Sequence, residues 1–100
     1  MEIHITDTDG TLTARFAGRL DTPAAADVMH DVQPLLDGAD KTIVLDCRDM
    51  TYISSSGLRI FLTIRKSAAA KGGTVIIQGL SNDIRQVFMM TGFLQLFEIR

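Results

Sequence analysis

TIVLDCRDMTYISSSGLRIFL, residues 42–62, joins two different periodicities through three consecutive serines. Its first part, Thr42 to Cys47, with the preceding Lys41, is a short apolar run rich in β-branched residues and bounded by polar clusters. That pattern predicts a strand covered on both faces and central in a sheet. From Ser55 the spacing becomes helical, through Leu58, Phe61, Leu62, Arg65, Ala68 and Ala69, and stops at Lys71-Gly72-Gly73, a basic residue followed by a glycine cap. Ser54, Ser55 and Ser56 thus stand at the carboxyl end of a central strand, where open α/β sheets tend to carry their sites. One serine suffices to cap a first helical turn. Three pose a question of function.

Outward from this corner the same alternation of strands and helices continues. Ile3 and Ile5, then Leu12, Ala14 and Phe16, alternate with polar residues on either side of Asp9-Gly10, so the first 17 residues read as a β-hairpin with one buried face. In GRLDTPAAADVMHDVQPLLDG, Asp21 or Thr22 caps a helix with Pro23 in its first position and Val28, Met29, Val32, Leu35 and Leu36 on one side. Pro34 predicts a kink or an early end, because it lacks an amide hydrogen and crowds the carbonyl four residues before it. TVIIQG reads as a further buried strand, SNDIRQVFMMTG as a short capped helix with Ile84, Val87 and Phe88 inward, and LFEIR as a final short strand. The predicted order is β-β-α-β-α-β-α-β, an α/β fold with one mixed β-sheet flanked by helices in a single domain spanning residues 1–100.

Composition narrows the function. With 100 residues, 46% of them hydrophobic, the chain can bury one continuous core. A net charge of -2, with charges scattered rather than blocked, argues against nucleic acid as a partner. The lone Cys47 has no second cysteine to pair with and suggests a reducing compartment. No signal segment and no apolar run of membrane-spanning length are seen, so a soluble, cytoplasmic protein without direct membrane insertion is expected.

The serines invite a nucleophile reading, but the hydrolase elbow G-x-S-x-G fails: centred on Ser55 the pentad is Ile53-Ser54-Ser55-Ser56-Gly57. His4 and His30 lie in a strand and mid-helix, and each reads as a surface or boundary residue rather than a general base. One cysteine and two distant histidines have no zinc-type spacing, so no metal is expected. Gly72-Gly73 reads as a helix stop rather than a phosphate loop. Met89 and Met90 read as core or helix-end residues before they read as a binding surface.

Four pieces, GRLD at 18–21, TIVLDCRDMTYISSSGLRIFL at 42–62, GG at 72–73 and VFMMTGF at 87–93, together resemble a bacterial STAS domain of the anti-sigma-factor antagonist type. The resemblance runs over essentially the whole chain. It implies a domain with no catalytic residues and no cofactor, working as a phosphorylation-controlled switch in transcription. Unphosphorylated, such a domain binds an anti-sigma factor that is also a serine kinase; phosphorylation releases it, and a metal-dependent serine phosphatase resets it. The family's D-S-S/T-G corner falls on Ser54-Ser55-Ser56-Gly57, which makes Ser55 the implied phosphate acceptor and Ser54, standing where aspartate is common, the lesser candidate. Asp21 matches a loop acidic residue near the same end of the sheet. The implied partner surface comprises Asp21, Thr22, Ser54, Ser55, Ser56, Gly57 and Arg59, with Leu58 and Phe61 in the core.

Two other readings compete. One is a non-enzymatic STAS subunit of a lipid-transport or stress-signalling assembly, in which the same corner docks a permanent partner. The other is a serine hydrolase. Many family members continue into another helix after the last strand, so that strand is expected to be less protected here, leaving a homo-oligomer through its edge open.

Overall fold

A computed structural model describes residues 1–100. β1 (Glu2–Thr8) and β2 (Thr11–Leu20) form the expected hairpin. Asp9 and Gly10 have φ of 50° and 81°, the two left-handed residues that a tight hairpin turn with the strands' own twist requires. α1 (Thr22–Asp31) begins at the N-cap Asp21, so Thr22 and not Pro23 is its first residue. The chain breaks at Val32, as Pro34 predicted, and restarts as α2 (Gln33–Asp37) with Pro34 in its first turn, where a missing amide hydrogen costs nothing.

β3 (Thr42–Ile53), α3 (Ser55–Lys71), β4 (Thr74–Gln78), α4 (Asn82–Met90), a 3-10 turn (Phe93–Gln95) and β5 (Glu98–Ile99) complete the chain. The sheet order is β1-β2-β3-β4-β5, with β1 antiparallel to β2 and the remaining neighbours parallel. This is the single α/β domain with a mixed sheet and the expected order of elements; the 3-10 turn is an addition. β3 is central, but it runs six residues beyond Cys47, through the polar stretch RDMTY. A register shift against β2 between Arg15 and Ala17 accommodates the extension: Arg48 and Asp49 are both exposed where one residue would normally face out.

The expectation of a strand covered on both faces is corrected. Leu12, Ala14, Phe16, Ile43, Leu45, Cys47, Val75 and Ile77 face the helices and form one core with Val28, Val32, Phe61, Ile64, Ile84 and Phe88. Phe16, Phe61 and Phe88 meet in sequence, the first pair tilted and the second edge to face, with ring centroids 5.2 and 5.9 Å apart. Every helix contributes to this one side. On the other face Val44 and Thr13 are half-buried and Arg15 is exposed. Asp46 is buried there, with the Arg48 guanidinium folded onto it at 2.7 Å and the Arg48 backbone amide also donating to it. Periodicity could not separate the two cases, because half-buried Val44 and buried Ile76 keep the run apolar on the helix-free face as well.

Met89 and Met90 are 57% and 83% exposed. The helix-end reading holds, since Met90 closes α4, whereas the core reading does not; Val87 and Phe88 already fill the inward positions of that turn.

Candidate functional site

The corner between β3 and α3 is built by bonds that pull the ends of β2 and β3 together. The Ser54 amide donates to the Leu20 carbonyl at 2.8 Å, which places Asp21 and Thr22 beside the serines. Ser54 has extended backbone angles, φ -91° and ψ 171°, as an N-cap requires, and its hydroxyl accepts from the Gly57 amide at 3.1 Å. Its carbonyl accepts the first helical bond from Leu58 at 2.9 Å. Ser54 is only 8% exposed. Its polar atoms are engaged in holding the turn.

Gly57 explains why glycine follows the serines. A Cβ there would lie 2.7 Å from Leu20 Cγ and 2.9 Å from Ile53 Cγ1. The absent side chain lets the first turn of α3 seat against the ends of β2 and β3, and that seating buries Leu58 and Phe61 as expected.

Ser55, the first residue of α3, is exposed, and Ser56 is half-buried. With the Gly57 and Leu58 amides already engaged by Ser54, the Ser55 and Ser56 amides are the two first-turn donors left without a protein partner. Arg59 is exposed one turn further on. The three serines therefore have unequal tasks: Ser54 caps, Ser56 flanks, and Ser55 presents a free hydroxyl to solvent at a positive helix end.

Asp21 is the N-cap of α1, its Oδ1 accepting from the Ala24 amide at 3.0 Å, with Arg19 Nε 3.9 Å from its other oxygen. A structural cap is thus one of its tasks. The sequence did not single out Arg19 and Tyr52, paired across β2 and β3, although the guanidinium lies 4.3 Å from the exposed ring and borders the corner. Their pairing depends on the register beyond the bulge. His4 and His30 are exposed on different elements, β1 and α1. Cys47 is fully buried, and burial, with the Asp46 carboxylate next to it, pushes its thiol up to about 12. No helix is long and apolar enough to cross a membrane.

A model of the STAS domain matches residues 2–100. Among similar proteins is BtrV of Bordetella bronchiseptica, which carries the name anti-sigma factor antagonist and is 29% identical over 99 residues, covering 99% of this chain and 85% of that one. The anti-sigma-B factor antagonist of Bacillus subtilis is 26% identical over 100 residues, covering 99% and 90%. The fold superimposes on the anti-sigma factor antagonist SpoIIAA in its unphosphorylated form with a TM-score of 0.75 at 20% identity, over 99% of this chain and 87% of that one. The Bacillus SpoIIAA in its phosphorylated form gives the same TM-score, at 21% identity and 99% and 91% coverage.

Proposed function

Since the chain belongs to the STAS domain family, we propose that it is an anti-sigma factor antagonist, a cytoplasmic binding module without catalysis of its own whose partner affinity is set by phosphate on Ser55. Unmodified, it holds an anti-sigma factor that is also a serine kinase; the kinase transfers phosphate to Ser55 and is released; a metal-dependent serine phosphatase restores the binding form. Relatives that carry the antagonist name support the class. The observation that carries the choice of residue is the division of labour at the corner, where Ser54 is buried in its capping bond and Ser55 is exposed.

The domain tolerates the modification for a physical reason. A phosphate brings about -1.5 to -2 charges at neutral pH. At the start of α3 it meets two unpartnered amides and the positive end of the helix, so the fold persists. A partner surface packed against a neutral serine meets repulsion and desolvation instead, of about 2 kcal/mol or more. Affinity falls while structure stays.

Phosphopeptide mapping of the protein from its own cells in several growth states, with identification of what co-purifies, tests this. Phosphate on Ser55 that varies with growth state, with the partner absent when it is present, is expected. A Ser55 that stays unmodified inside a stable complex would favour the permanent-subunit reading.

A further inference from the structure

Arg59 stands four residues beyond Ser55 on α3, and its side chain is exposed. Residues at that spacing have Cβ atoms about 5–6 Å apart. Long side chains on a helix lean toward its N-terminus and cover the turn before their own α-carbon. For Arg59 that turn is Ser55 and Ser56. Its guanidinium is also uncommitted. Arg15, Arg19, Arg48 and Arg100 each lie beside a carboxylate, and Arg65 donates to the Leu96 carbonyl; Arg85, the other arginine without a side-chain partner, stands on α4 and not on the helix that carries Ser55. The Arg59 side chain has no such partner; outside the helical ladder only its backbone carbonyl is used, accepting from the Thr63 hydroxyl.

Resting on the reading of Ser55 as the phosphate acceptor, we infer that Arg59 is the intramolecular counter-ion of the phosphoserine. With Ser55 unmodified, the guanidinium is available to an acidic group on the partner. With Ser55 modified, it turns onto the phosphate, whose oxygens it can engage in pairs. The corner then loses its cation and gains negative charge in one step. Partner release has two local causes, repulsion by the phosphate and withdrawal of Arg59.

Other charges at this end act on the phosphate too. Asp21, with Arg19 beside it, caps the neighbouring α1, and the Ser55 and Ser56 amides lie at the helix start. None of them changes when Arg59 is replaced. Lys66 is exposed on the same helix and carries the same charge, but lies about 10 Å further along the axis than Arg59.

The test places phosphoserine at position 55 of the full chain by genetic-code expansion and follows its second ionisation by phosphorus NMR across pH. Arg59→Gln is expected to raise that pKa by about 0.3 unit. Lys66→Gln should move it by less than a third as much, and the difference should vanish near 1 M salt, where screening acts over about 3 Å. Equal shifts in the two variants, or none in either, would overturn the pairing. Because no kinase is needed to place the phosphate, this result is separate from the switch itself. A Ser55 never phosphorylated in cells removes the switch and leaves the titration unchanged, whereas a flat titration removes Arg59's role and leaves the switch standing.

Discussion

Gly57 faces Leu20 with no room for a side chain between them: a methyl group on Gly57 would stand 2.7 Å from Leu20 Cγ. This contact fixes the first turn of α3 to the end of β2 and so sets how the serines are presented. Gly57→Ala is expected to destabilise the domain by about 1–3 kcal/mol, the usual cost of overpacking. Urea unfolding checks it, and a midpoint like that of the native chain would show that the corner yields without strain.

Ser54 and Ser55 should separate stability from signalling. Removing the Ser54 hydroxyl deprives the Gly57 amide of its partner, and Ser54→Ala should cost about 1 kcal/mol. Ser55→Ala, at an exposed position, should stay within about 0.5 kcal/mol. Parallel denaturation curves of the two variants measure this, and the opposite ranking would reverse the assignment of cap and acceptor.

This division was only partly legible in the sequence. The Asp9-Gly10 turn, the break at Pro34 and the strand-to-helix change at the serines are local signals, and each appears in the fold. Which serine is buried is decided by Leu20, 34 residues before Ser54, whose carbonyl receives the Ser54 amide. The helix-free sheet face was hidden because Val44 and Ile76 are apolar there, and Ile76 is buried. The length of β3 was hidden because its second half alternates through a bulge, out of step with its first.

Cys47 gives the stability a pH signature. In the unfolded chain the thiol ionises near its ordinary 9.0, whereas in the folded domain burial holds it protonated up to about 12. The folded pKa is raised, so the contribution is fully present below pH 9.0 and is lost as pH rises toward 12, at up to about 1.4 kcal/mol per pH unit. Stability curves of the native chain and Cys47→Ala should converge in slope below pH 9.0 and diverge above it. Rapid native-state alkylation at pH 8 would contradict the burial on which this rests.

Asp46 acts with the opposite sign. The Arg48 side chain hydrogen-bonded to it is the main reason its carboxyl lies below the ordinary 3.8, outweighing its burial. The stabilisation is therefore present above that value and lost as pH falls through the depressed one. Arg48→Gln should raise the Asp46 pKa and make the domain more sensitive to acid, as carboxylate titration by carbon NMR would show. An unmoved Asp46 titration would mean that Arg48 is not its partner in solution.

Whether phosphate on Ser55 lowers partner affinity without altering the fold is decided by one calorimetric comparison. The chain with serine and the chain with phosphoserine at position 55 are titrated with the partner that co-purification from its own cells identifies, and their circular dichroism and melting curves are recorded in the same buffer. At least about a 30-fold loss of affinity, the equivalent of about 2 kcal/mol, is expected, with matching spectra. Equal affinities, or a loss accompanied by a melted α3, would contradict it.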